Sequence, residues 1–235
     1  YDEGTGVAEG PANEKSIAGQ VYRLYGATLG REPDGNGFLS WFNAISGAPG
    51  STNVTLEQAA GGFVRSQEFQ NTYGSLSNTA FVELLYDNVL GRPADTVGLS
   101  NWVAQLDGGT TQQQVVLGFS QSQEFIRNTA ADLKTWIRGL GEDDYLDGYS
   151  GSNVLAGGML CDTFNFDQND DGTHRVLDLE VWDILRFDDF GYQSATDVRG
   201  HMSQVGADVV FQEQGVSVTL VGTQLSSLTD DMLTF

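Results

Sequence analysis

Apolar residues recur at helical spacing through the first half of the chain and at alternating spacing through much of the second. Ile17, Val21, Leu24 and Tyr25 fall at i, i+4, i+7 and i+8, and Phe81, Leu84, Leu85 and Val89 at i, i+3, i+4 and i+8. Each set makes a single apolar stripe on a helix. Gly30 and Gly91 follow these stripes as the glycines that end a helix, and Asp34 and Asp95 are placed to cap the next one. Thr55 and Thr111 start helices predicted to end in the blocks Phe63 to Phe69 (FVRSQEF) and Phe119 to Phe125 (FSQSQEF). Trp41 and Trp102 are expected to bury against those blocks. Leu133, Trp136 and Ile137 predict a final short helix.

These helices belong to an internal duplication, each copy reading as a pair of helices. LYGATLGREPDGNGFLSW at 24–41 and LYDNVLGRPADTVGLSNW at 85–102 align at a constant offset of 61, whereas the S-Q-E-F blocks align at 56. The first copy therefore holds five extra residues, placed around Pro49, and loops absorb such insertions at little cost. Arg31 and Arg92 stand beside the glycine corners. They read as internal struts with Glu68 and Glu124 as partners, against the alternative of carboxylate or sugar ligands. The pattern L-G-R-x-x-D-x-x-G-x-x-x-W followed by S-x-E-F resembles a helical bacterial domain of unassigned function that recurs in secreted and cell-surface proteins beside repeats-in-toxin (RTX) segments. The resemblance covers residues 16–127 and supplies no chemistry.

From residue 139 the period becomes nine. Gly139, Gly148 and Gly157 are evenly spaced, as are Asp144, Asn153 and Asp162, and as are Leu146, Leu155 and Phe164. Glycine admits positive φ, a side-chain oxygen suits a hard cation, and the apolar residue of a following strand points into a core. Calcium-binding β-helix nonapeptides have the form G-G-x-G-x-D-x-U-x. Here Leu140 and Tyr149 replace the second glycine, and Glu142 and Leu160 the third. The segment resembles the RTX family of secreted bacterial proteins in a short, degenerate form. That resemblance implies two nonapeptides per coil of a parallel β-roll, with ions held between alternate loops. Asp144 would then face Asp162, and the loop of Asn153 would stack on the loop of Asp171. Asp183 resembles the acidic position that closes the last ion site of such domains.

Asp167-Gln168-Asn169-Asp170-Asp171-Gly172, with Asp178 at the twelfth place, has the spacing of an EF-hand calcium loop, except that the last ligand is Asp where Glu is usual. Thr163 to Phe166 alternates like a strand, whereas an EF-hand requires an entering helix. Three readings stand: calcium bound at the end of a β-roll, a true EF-hand loop, and a solvated acidic turn. Under the first two, Asp167, Asn169, Asp171 and Asp178 are ligands or near ligands. Residues 176–235 read as alternating strands around one short helix that starts at Ser194, with a hairpin through Gly215. The terminus, from Leu228 to Phe235, resembles the uncleaved C-terminal signal of RTX proteins exported by type I secretion, and equally suits a last edge strand.

Charge divides the chain in the same place. Residues 139–235 carry 15 Asp and 3 Glu against three Arg, which is −15 of a formal net charge of −21. Self-repulsion of this size destabilises a compact state unless cations are bound, so Ca2+ is the expected cofactor and folding is expected to depend on it. An acidic chain with two lysines has no electrostatic route to nucleic acid or anionic lipid. No apolar run approaches the roughly 18 residues of a membrane helix, and the acidic first fifteen residues are unlike a basic-then-apolar secretory leader. Cys161 is the sole cysteine, so no intrachain disulfide forms. It sits beside Asp162 and reads as a small, semi-buried thiol, not a nucleophile. His174 and His201 make no H-E-x-x-H site or recognisable triad, no phosphate loop is present, and no carboxylate pair stands out. No enzymatic activity is expected.

The expected fold class is α+β multidomain: an acidic, glycine-rich tail over 1–13, a duplicated all-α domain over 14–138, and over 139–235 an all-β calcium-binding short parallel β-roll with a sandwich-like cap. The expected function is that of a secreted, extracellular or surface calcium-binding protein without catalysis, in a matrix or in adhesion. Its expected partners are calcium, other copies of itself or a surface glycan, and the type I secretion machinery during export. Two alternatives are the export and anchoring part of a secreted hydrolase, with its catalytic domain before Tyr1, and a subunit of a surface layer or extracellular filament.

Overall fold

The computed structural model describes residues 16–235; the expected tail over 1–13 lies outside them. The chain forms two compact units, Glu14–Leu133 and a second that includes Lys134–Phe235. The first is helical and the second is β-rich, with parallel and mixed sheets.

In the helical unit the two copies correspond cap by cap. α1 (Ile17–Leu29) matches α5 (Asn78–Leu90), α2 (Gly35–Ser46) matches α6 (Thr96–Asp107), α3 (Leu56–Val64) matches α7 (Gln112–Ser120), and α4 (Gln67–Tyr73) matches the start of α8 (Gln123–Gly139). Gly30 and Gly91 close α1 and α5 in the left-handed conformation, at φ +63° and +64°. Asp34 and Asp95 accept from the backbone N–H of Gly37 and Gly98, each at 2.8 Å. Thr55 and Thr111 form full capping boxes with Gln58 and Gln114. The interior of the unit joins α1, α3 and α7 through buried Val21, Leu24, Phe63, Val115 and Phe119.

Two expectations need correction here. Each copy holds four helices, since the S-Q-E-F block does not end a helix. It starts one: Ser66 and Ser122 accept from the N–H of Phe69 and Phe125, each at 3.2 Å, and this hydroxyl cap breaks the chain into a new helix. Leu133, Trp136 and Ile137 likewise belong to the long α8 and not to a separate short helix.

In the β-rich unit successive strands alternate between two sheets. β1 (Glu142–Asp147), β3 (Cys161–Asp167), β5 (Ile184–Asp188) and β9 (Leu233–Thr234) pair in parallel in the first sheet, in that order. β2 (Gly151–Leu155), β4 (Gly172–Val176) and β8 (Val216–Leu220) pair in parallel in the second. β7 (Asp208–Glu213) and β6 (Met202–Val205) extend that sheet antiparallel. This is the coil of a parallel β-roll followed by a hairpin cap. α9 (Ala195–Gly200), capped by Ser194, precedes β6. Between the sheets lie Leu155, Phe164, Phe166, Val176, Leu185, Phe187, Phe211 and Val218. The phased apolar positions thus form layers, Leu146 beside Phe164 and Phe164 beside Leu185.

The register is not uniform. Leu146 pairs with Phe164, an offset of 18, but Asn153 pairs with His174 and Phe164 with Leu185, offsets of 21. The β3–β4 turn adds the three residues. The loop of Asn153 does lie on the loop of Asp171, with Gly151 N–H donating to the Asp171 carbonyl at 3.0 Å, but the register is shifted, and Asn153 itself pairs with His174, three residues further on. The EF-hand reading is also overturned, because the segment from Asp167 to Asp171 is a turn between two strands with no flanking helix.

Candidate functional site

At one end of the roll an aspartate begins each coil. The carboxylate of Asp162 accepts from the N–H of Asp144 at 3.0 Å, and that of Asp183 accepts from the N–H of Asp162 at 3.1 Å. Asp183 also accepts from the N–H of Glu180 at 2.6 Å. Asp178 accepts from Gly157 N–H at 3.1 Å and Gly158 N–H at 3.0 Å. Asp144 is exposed, whereas Asp162 and Asp183 are each only 1% exposed. Backbone donors therefore hold the ladder, and burial works against the charged form of its carboxyls.

Glu180 was not among the residues singled out by sequence. Its carboxyl is pushed up to about 8 by burial, and then by the neighbouring charges of Asp183, Asp178 and Asp162; an indole N–H from Trp182 at 2.9 Å opposes the rise. Asp183 is pushed up to about 7, again chiefly by burial, against the two backbone donors it accepts. The signal for Glu180 is an acid among apolar neighbours in Leu179-Glu180-Val181-Trp182, which does not reveal which face is inward.

The glycines at the nine-residue phase serve a different need from the one expected. Positive φ falls at Gly141, Gly151 and Gly158, and at Tyr149 (+46°) and Leu160 (+72°), where the repeat would place glycine. Gly157 is required by close approach: a Cβ there would run into the carboxylate of Asp162. A Cβ on Gly148 would meet Phe166 and His174 at 3.2 Å. His174 is buried against Phe166, and burial lowers its pKa against the opposing pull of Asp170 and Asp147.

The other predicted ligands are dispersed. Asn153 uses its amide nitrogen to brace the carbonyls of Gly148 and Ser150. Asp167 accepts from the backbone and side-chain N–H of Asn169, both at 2.8 Å, and Asn169 reaches Asp189 at 3.1 Å. Asp171 packs against Gly215 in the β7–β8 hairpin. The acids brought together are Asp162, Asp178 and Asp183, with Glu180. Their oxygens are the donor chemistry of a hard cation, and a cation would offset the burial that chiefly raises Glu180 and Asp183 and the mutual repulsion that adds to it. The carboxylates are turned onto backbone N–H groups, and among the described residues no three His, Cys, Asp or Glu side chains are already grouped to hold a metal ion.

Elsewhere, Arg31 makes two hydrogen bonds to Glu68 (2.8 and 3.2 Å), and Arg92 makes two to Glu124 (2.6 and 2.8 Å). Each guanidinium also lies over a tyrosine ring, Tyr25 at 5.4 Å and Tyr86 at 5.1 Å. The struts thus have the partners that sequence assigned. Trp41 and Trp102 face Phe63 and Phe119 at 5.2 and 5.4 Å. In the β-rich unit Asp231 receives Lys134 at 2.7 Å and Arg138 at 2.6 Å. Burial works to raise its carboxyl; the hydrogen bonds from Lys134 and Thr229 and the charges of Lys134 and Arg138 outweigh it and hold it far below the usual range.

Residues 60–129 match a family model described as a domain of unknown function, DUF4214. That span runs from α3 to the first turns of α8 and takes in the whole second Arg strut. No curated protein matches the chain. Among solved structures the chain is similar to the extracellular lipase LipA from Serratia marcescens, at 22% identity and a TM-score of 0.34, over 40% of this chain and 20% of that one. The match therefore spans about a fifth of the lipase. Among the described residues no helix is long and apolar enough to cross a membrane.

Proposed function

We propose that the β-rich unit is an RTX-type calcium-binding roll whose folding is completed by the ion, and that the protein acts outside the cell as a non-catalytic surface, matrix or adhesion component. The observation that carries this reading is the ladder Asp144–Asp162–Asp183, with Asp178 and Glu180 beside it, set at the start of successive parallel coils. Asp162, Asp178, Asp183 and Glu180 would hold the ion, supplying oxygen ligands only. A bound calcium neutralises carboxylates that otherwise repel one another inside the fold. In a compartment with little calcium that repulsion, spread over the −15 of residues 139–235, favours the open chain. The same property would suit export through type I secretion and folding afterwards.

Differential scanning calorimetry with and without EGTA tests the reading. Because the two units have separate cores, two transitions are expected, and only that of the β-rich unit should move. A ligand bound solely by the folded form adds roughly 2.7 kcal/mol per site at a hundredfold excess over Kd. Identical melting of the calcium-loaded and stripped protein would remove calcium from the account.

A further inference from the structure

The outward face of the first sheet carries polar side chains that its own fold leaves unsatisfied. On β3, Phe164 and Phe166 point into the core, so Thr163 and Asn165 point outward by alternation. They are nonetheless only 3% and 4% exposed, and Thr163 Oγ1 and Asn165 Oδ1 have no hydrogen-bond partner. Buried polar atoms are ordinarily paired, and an orphan points to a missing partner. Thr163 lies in a groove of about 350 Å³ with Tyr145, Ile184, Arg186, Thr234 and Phe235. The register places Tyr145, Thr163 and Ile184 in one row, and Asn165, Arg186 and Thr234 in the next.

We propose that this groove binds a neutral saccharide unit, an inference that rests on the adhesion part of the proposed function and not on its calcium part. The volume lies within the range of small-molecule sites. Tyr145 and Phe235, 53% and 47% exposed, offer aromatic surface to the C–H face of a sugar ring. The Thr163 hydroxyl, which has no partner in the fold and lines the groove, both donates and accepts, which suits the hydroxyls of a polyol. Arg186, fixed through Nε to both oxygens of Asp188 at 2.8 and 3.0 Å, brings a planar guanidinium to the wall with its charge compensated. The −15 carried by residues 139–235 repels an anionic sugar, so the ligand is a neutral one.

The test is titration calorimetry of the calcium-loaded full chain with short neutral gluco-, manno- and galacto-oligosaccharides, with oligogalacturonate as the charged control. One neutral series should bind and the charged control should not. Tyr145→Ala and Thr163→Val should each weaken that binding about tenfold or more, while Val205→Ser, an exposed change on β6, leaves it unaltered. Thr163→Val removes an orphan hydroxyl without changing shape, so its melting temperature should hold or rise. Binding lost together with stability would therefore overturn the assignment. So would failure of every neutral series, or binding that survives both groove variants. A chelator melt on the same sample separates the two proposals, since calcium-independent melting sinks the ion reading and leaves the groove result standing.

Discussion

Glu180 and Asp183 reverse the usual behaviour of acids in folded proteins. Both folded-state values lie above the ordinary carboxylate range, so between pH of roughly 4 and 8 the folded form holds more protons than the unfolded one. Their stabilising contribution is complete below about pH 4 and is lost as pH climbs through about 7 to 8, with a slope of up to about 1.4 kcal/mol per pH unit for each group. The calcium-free protein is thus expected to melt lower at pH 8 than at pH 5, and Glu180→Gln to flatten that dependence while keeping an acceptor for the Trp182 indole. A melting curve whose pH dependence is unaltered in the variant would show that Glu180 is not the group responsible. Tyr149 is a second residue under constraint: at φ +46° an L side chain sits in a region costing roughly 1–2 kcal/mol. Tyr149→Asn should raise the urea midpoint by the equivalent of about 0.5–1 kcal/mol, because Asn tolerates that conformation; a lowered midpoint would mean that the exposed ring is itself stabilising.

At the scale of the element, the duplicated helices show why small residues recur beside the tryptophans. A Cβ on Gly62 would lie 2.5 Å from Trp41, and one on Gly118 would lie 2.6 Å from Trp102. The indole therefore fills the volume a side chain would take. Gly62→Ala and Gly118→Ala are expected to destabilise by about 1–3 kcal/mol through overpacking. Gly35→Ala, with open space around it at the start of α2, should be neutral or slightly favourable; equal losses at all three positions in chemical denaturation would contradict this account. The helix ends were largely legible in sequence, because a cap is local chemistry: Gly30, Gly91, Asp34, Asp95, Thr55 and Thr111 act within a turn of their own positions. The S-Q-E-F corner was misread because apolar residues bound it on both sides, Phe63 and Phe69 in one copy and Phe119 and Phe125 in the other, with no glycine or proline between them. Only the Ser66 and Ser122 hydroxyls, bonded forward to Phe69 and Phe125, reveal that the chain turns there.

At the scale of the molecule, the nine-residue phase placed the glycines, acids and apolar residues, and the RTX resemblance it carried implied two strands per coil and Asp144 facing Asp162; the pairing of Leu146 with Phe164 keeps that same interval of 18. The phase could not disclose the change of register from 18 to 21 across the next coil. That change depends on how many residues the turn after Asp167 stores, and turn length carries no periodic signal. The candidate site was legible in part for the same reason. Asp144, Asp162 and Asp183 came from phase or resemblance, whereas Glu180, Thr163 and Asn165 depend on which face is inward and on what covers the outer one. The −15 charge spoke for the β-rich unit as a whole without naming the carboxylates that matter.

The unequal turns have a bearing on how such a molecule can change. Within the described residues β1 and β2 each pair on one side only, and each later coil simply lays its backbone along the one before. Nothing in that scheme resembles the closure of a barrel, where strand number and stagger are locked together. A roll made in this way has an elastic circumference and a modular length: three residues can enter at a corner without disturbing the layers of phenylalanine and leucine beneath, and whole windings can be gained or lost at the open flank while the cap at the far side stays as it is.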